Sequence, residues 1–153
     1  MEQVDIDAKR AEFIAQASKA QIPHFMHASL AHQSAALRRL VRKHGMAAYG
    51  RYWLLVELLM SSPEHSYDVS DSIGWEMLAD DLGRLERIDP ADACEFIEEL
   101  AALGLISREH LDECSKVVSL DVLADVEKYA YATAKKKLGA WIGAMKKIEQ
   151  KTS

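Results

Sequence analysis

Apolar residues along most of this chain recur three and four positions apart, the period of helices, and only a few short runs alternate as strands do. Ile6, Phe13, Ile14 and Ala17 form a weak stripe that predicts a helix over 5–19. Pro23 disfavours helix at Ile22, so the stripe breaks there and residues 23–28 read as extended. Leu30, Leu37, Leu40, Val41 and His44 share one face of a helix predicted from Ser29 to His44, with Gly45 as its stop. From Ala47 to Met60 the pattern changes. Tyr49, Tyr52, Trp53, Leu55, Val56, Leu59 and Met60 leave little polar face, which predicts a central strut buried on most sides. Glu57 interrupts that strut as a carboxylate expected to be partly buried and hydrogen-bonded.

Ser61-Ser62-Pro63 ends the strut, and Ser66 to Val69 reads as a short strand. A helix follows with the stripe Trp75, Leu78, Ala79 and Leu82, stopped by Gly83. Asp89-Pro90 opens another, with Asp at a capping position and Pro in the first turn. Its inward face is Ala93, Phe96, Ile97, Leu100 and Leu103, and Gly104 closes it. Leu105 to Ser107 and Lys116 to Leu120 are β-like runs, and residues 108–115 between them read as a hairpin tip. The chain finishes in one long helix over 121–151. There Ala134, Leu138, Trp141, Met145 and Ile148 alternate spacings of four and three, a short coiled-coil-like seam.

Helix, turn, helix and a two-stranded hairpin make a winged helix-turn-helix. The expected fold is therefore mostly α, a winged helix with a small β-hairpin. Its expected organisation is an N-terminal helical extension over 1–21, the winged-helix domain over 22–125 and a basic amphipathic C-terminal helix over 126–153. A length of 153 residues suits one compact domain with appended helices. No run is long and apolar enough to span a bilayer, and the acidic start lacks a signal core, so the expected location is the cytoplasm. Cys94 and Cys114 are then expected as reduced thiols.

The net charge of −5 argues mildly against a nucleic-acid partner, but the signs segregate along the chain. Arg38, Arg39, Arg42, Lys43 and Arg51 form one basic cluster. Lys135, Lys136, Lys137, Lys146, Lys147 and Lys151 form another, with acid concentrated between Asp68 and Glu113. Arg38 and Arg42 stand one turn apart, as do Arg39 and Lys43, so each pair shares a side of its helix. Lys135 and Lys146, like Lys136 and Lys147, lie eleven residues apart, close to three whole turns, and flank the apolar seam without interrupting it. The helix over 90–103, which a winged helix would present to a major groove, is acidic instead: Asp92, Glu95, Glu98 and Glu99 have no Lys or Arg beside them.

Gly45-x-x-x-Tyr49-Gly50-x-Tyr52-Trp53-x-Leu55-Val56-Glu57 resembles the N-terminal winged-helix domain of phage replication-organiser and DnaD-like proteins. The similarity covers roughly residues 22–125. It continues through Leu78-Ala79-Asp80-Asp81-Leu82-Gly83, Phe96 to Leu100 and Gly104-Leu105-Ile106. Two stretches depart from the family's pattern. His27-Ala28 stands where it has a His-Asp pair, and Gln33-Ser34-Ala35-Ala36 where it has an Asn-Asp-x-Lys-like run. The resemblance implies a place in DNA replication in a phage-derived protein.

Catalytic chemistry finds no foothold, because the chain has no phosphate-cradling glycine loop, nucleophile elbow or zinc-protease motif. His24, His27 and His32 match no zinc spacing, so neither metal nor cofactor is expected. The expected function is a non-enzymatic DNA-binding domain with weak base specificity. It would contact phosphates through Arg38, Arg39, Arg42, Lys43, Arg51, Lys135, Lys136, Lys146 and Lys147. The alternative is a winged-helix protein–protein interaction module that does not bind DNA, which the acidic helix and net charge favour. Leu138, Trp141, Met145 and Ile148 are the expected interface with a replication protein or a second copy, giving a homodimer; the competing reading is a last helix packed on its own domain. No membrane partner is expected.

Overall fold

The structure, a computed structural model, describes residues 2–20 and 33–152. It is mostly helical, with a small two-stranded antiparallel pairing and a long C-terminal helix. The chain divides into two compact units, Pro23–Leu123 and Met1–Ile22 with Ala124–Ser153. The extended reading of 23–28 and the three histidines 24, 27 and 32 lie outside the described residues.

The first of these units is built on two consecutive helices, α1 of the chain belonging to the other unit (Gln3–Lys19). Ser34 caps α2 (Ala35–His44) by accepting the Leu37 amide, and Gly45 ends it at φ +83, a conformation that favours glycine. α3 (Met46–Ser61) starts at once. Leu37 and Leu40 of α2 are buried, as are Ala48, Tyr52, Leu55, Val56, Leu59 and Met60 of α3. Each fully buried side chain of this size contributes about 1.5–3 kcal/mol by leaving water. Tyr52 is completely enclosed, its hydroxyl donating to Asp121 at 2.7 Å, and Trp53 meets its ring edge-on at 5.2 Å. Glu57, expected to be partly buried, points to solvent instead.

A 3-10 turn, Pro63–His65, leads into β1 (Tyr67–Asp68). Asp71 caps α4 (Ser72–Leu82) by accepting the Gly74 amide at 2.8 Å, and Asp89 caps α5 (Pro90–Ala102) by accepting the Asp92 amide at 2.8 Å. α4 buries Leu78, Ala79 and Leu82, and packs on α5, which buries Ala93, Phe96, Ile97 and Leu100; Leu103 is only half-buried. Tyr67 donates to Asp81 at 2.8 Å; burial, then that carboxylate, holds its hydroxyl well above the ordinary tyrosine range, so it stays a donor.

The expected hairpin tip is a helix. Ser107 accepts the His110 amide, Leu111 anchors the turn in the core, and α6 (Arg108–Cys114) forms where the sequence reads as a loop. The runs on either side still pair, through a bridge between Ile106 and Ser119 and the Ser107 amide donating to the Val118 carbonyl at 2.9 Å. β2 (Lys116–Val117) pairs antiparallel with β1, Tyr67 opposite Val117 and Asp68 opposite Lys116. Residues 115–120 thus bond to β1 along their first half and to 105–107 along their second.

α7 (Leu120–Thr152) begins at Ser119, whose hydroxyl accepts the Val122 amide, and runs 33 residues. Val122, Val126, Ala130, Ala134 and Leu138 are its buried positions among the described residues, four residues apart. In the unit containing its C-terminal part, α1 lies alongside. Lys9 sits 5.1 Å from the Phe13 ring centre and 5.9 Å from that of Trp141, and Asp5, Ala8 and Glu12 share a groove with Trp141, Met145 and Glu149.

Two glycines separate crowding from helix propensity. A Cβ on Gly74 would meet the Asp68 carbonyl oxygen at 2.4 Å and the Val69 Cα at 3.0 Å, both backbone. Gly74→Ala is expected to cost about 1–3 kcal/mol. Gly139, exposed within α7 with nothing near its missing Cβ, should gain about 0.5–1 kcal/mol on replacement by Ala. Urea unfolding of the two variants checks both signs.

Candidate nucleic-acid interface

Burial of Leu37 and Leu40 decides where the basic residues of α2 go. With those two positions facing the core, Arg38, Arg39 and Arg42 are turned out to solvent. The abrupt turn at Gly45 then brings the first turn of α3 beside them. Between the two helices lies a groove of about 580 Å³, lined by the cations Arg38, Arg39 and Arg42 and the apolar or aromatic Leu37, Val41, Met46 and Tyr49. Met46 is 66 % exposed although apolar, and Tyr49 is half-buried, edge-on to Trp53 at 6.1 Å. Among the described residues, no carboxylate pairs with any of the three arginines.

The other two members of this cluster are engaged. Lys43 Nζ lies 3.0 Å from Glu99 of α5, and His44 Nε2 lies 3.8 Å from the same carboxylate. Lys43 first, through its hydrogen bond, holds the Glu99 carboxyl below its ordinary range against a smaller opposing effect of desolvation. Arg51 is largely covered, its guanidinium 5.7 Å from the Phe96 ring centre and 3.9 Å from Glu86. Both cations fasten α2 and α3 to α5 and its preceding loop. The sequence groups all five residues together; among the described residues the fold leaves three of them free of ion pairs.

α5 presents the opposite sign. Glu98 pairs with Arg108 at 2.6 Å, and Arg108 also reaches Asp112 at 3.5 Å. Asp92 and Glu95 are exposed and, among the described residues, paired with no cation. A duplex approaching this helix would meet like charge.

The second basic cluster belongs to the other unit. Lys135, Lys136, Lys137, Lys146, Lys147 and Lys151 are all exposed on α7, with no ion pair among the described residues. Of the seam residues between them, Leu138 is buried within this chain, Trp141 and Met145 are half-buried beside α1, and only Ile148 is open, at 53 %. The N-terminal helix therefore occupies part of the face that the sequence assigns to a partner. Cys94 is half-buried and Cys114 exposed, and neither forms a disulfide. Among the described residues no group of three His, Cys, Asp or Glu is placed to hold a metal, and no helix is long and apolar enough to cross a membrane.

Two features of the groove are missed by sequence patterning. Tyr49 reads as core because it lies on an aromatic stripe, and Met46 carries no signal by itself. Gly45 is the available clue: a stop followed immediately by a new helix places the start of that helix against the outer face of the last. The pairing of Lys43 with Glu99, 56 positions away, has no sequence signature. Comparisons with protein-family models, with curated proteins and with solved structures find no match for this chain.

The Lys43–Glu99 pair makes a pH-dependent contribution. A carboxylate whose folded-state value is depressed adds stability above its unfolded value, and that stability is lost as pH falls through the folded value. Glu99→Gln is expected to cost less than about 1 kcal/mol at neutral pH, as exposed pairs do. The gap from the parent protein should close as pH drops below the ordinary value of 4.5. Thermal melts of the two proteins between acid and neutral pH measure it.

Proposed function

We propose that this protein is a non-enzymatic DNA-binding domain that contacts phosphates through Arg38, Arg39 and Arg42, with weak base specificity. One observation carries the reading. In a chain of net charge −5, three neighbouring arginines stand exposed on one groove, free of carboxylate partners among the described residues, while nearby Lys43 and Arg51 are drawn into ion pairs. Unpaired guanidinium groups clustered on one face are the usual footprint of phosphate recognition. Lys135, Lys136, Lys146 and Lys147 offer a second cationic surface in the other unit.

The winged-helix reading is supported by the order α3, β1, α4, α5, residues 105–107, β2, and by the pairing of 115–120 with both short strands. On that reading α6 takes the place of the wing loop and α5 that of the recognition helix. The acidic surface of α5 then speaks against insertion into a major groove. A replication role in a phage-derived protein rests on the resemblance of the Gly45–Glu57 block. The second reading, an interaction module that never meets DNA, is favoured by the exposed Asp92 and Glu95, which pair with no cation among the described residues and suit a basic partner protein. Self-association through α7 is the narrowest of these readings, since Ile148 alone of the seam residues is open.

Titration of labelled DNA across a salt series separates the first two. Three phosphate contacts give a slope of roughly −2 to −3 in log affinity against log salt. Replacing Arg38, Arg39 and Arg42 by Ala should abolish most of the binding, whereas replacing Lys135, Lys136, Lys146 and Lys147 should weaken it less. Glu99→Gln, which releases Lys43, should tighten it. Absence of binding at low salt would leave the interaction module as the better account.

A further inference from the structure

We propose that the groove between α2 and α3 holds an unpaired strand, with bases against Tyr49 and Met46 and phosphates on Arg38, Arg39 and Arg42, in preference to a duplex. The proposal rests on the DNA-binding reading and names the form of nucleic acid.

Shape is the first argument. A duplex hides its bases, so a protein reads or grips it with an element that projects into a groove or lies along the backbone. The basic site here is concave. Its volume of about 580 Å³ falls in the ~300–1,000 Å³ range of clefts that enclose small flat molecules. The element of this unit that a winged helix would use as its projection, α5, carries exposed carboxylates instead.

The lining is the second argument. Sites for single strands combine cations that track the backbone with aromatic and apolar surfaces on which bases rest. Both kinds of residue line this groove. Arg38, Arg39 and Arg42 supply charge that no carboxylate pairs among the described residues, while Val41, Met46 and Tyr49 supply apolar surface. Phosphate binding alone explains the arginines but not an apolar surface left open to water. Met46 is 66 % exposed, and core packing therefore does not account for it. Guanidinium groups also stack on bases, so the arginines suit both halves of a nucleotide. Oligodeoxythymidine, with weak stacking of its own, is the natural probe.

The test compares the full chain's affinity for labelled oligodeoxythymidine and for a duplex of equal length at one low salt concentration. The single strand should bind at least about tenfold tighter. Tyr49→Ala should weaken single-strand binding by roughly 5- to 150-fold, the range for losing a base-stacking aromatic, whereas Tyr49→Phe should keep it. Because Tyr49 also touches Trp53, Met46→Glu is the companion variant. It changes an exposed position, leaves the melting temperature nearly unaltered, and should weaken binding at least tenfold by placing a carboxylate among the phosphates. Equal or tighter duplex binding, unaltered binding in Met46→Glu, or equal losses in Tyr49→Phe and Tyr49→Ala would overturn the single-strand assignment while leaving the phosphate reading standing. If neither form binds, or if a Glu- and Leu-rich peptide binds through the three arginines while DNA does not, both readings fall.

Discussion

Burial of Leu37 and Leu40 in α2 is the constraint from which the surface of this unit follows. Three positions apart on a ten-residue helix, they fix its rotation about its own axis. Arg38, Arg39 and Arg42 are then exposed. Gly45 adds the second half of the constraint. Its positive φ ends α2 and starts α3 with no intervening loop, so the outer face of one helix and the first turn of the next meet. The groove is a by-product of that junction. Val41 and Tyr49 are half-buried and belong to its lining.

Electrostatics in this unit divide by partner rather than by position in the chain. Lys43 follows Arg42 directly, yet it reaches Glu99 while Arg42 reaches no carboxylate among the described residues. Arg51 lies one turn beyond Ala47 on α3 and is drawn over Phe96 toward Glu86. These contacts are partly exposed and each contributes little to stability. Their larger consequence is to pair two cations with two carboxylates, Glu99 and Glu86, on the surface that a charged ligand would meet. What remains is a cationic groove bordering an acidic helix, and such an arrangement orients an approaching polyanion more sharply than uniform basic charge would.

The region from Leu105 to Leu120 shows how a small local signal alters a loop. Two short runs pair as their composition suggests, through Ile106 and Ser119. Between them, Ser107 caps a helix and Leu111 is buried, so seven residues coil rather than turn. Ser115, at φ +51, reverses the chain into β2. The cap and the apolar anchor are both visible in the sequence. They are outweighed in a reading by pattern because one turn of apolar spacing is too short to distinguish helix from loop.

The helical content, the strut over 47–60, the cap at Asp89, and the stops at Gly45, Gly83 and Gly104 were all legible in the chain itself. Each depends on residues within one or two turns of one another, and local backbone chemistry decides them. Which arginines stay free, which seam residues remain open and what lines the groove were decided only by the tertiary structure. Those properties depend on neighbours far away in sequence: Glu99 for Lys43, Phe96 and Glu86 for Arg51, α1 for Trp141 and Met145. Spacing along a chain sets which side of a helix a residue occupies; what stands opposite that side is fixed when the elements pack.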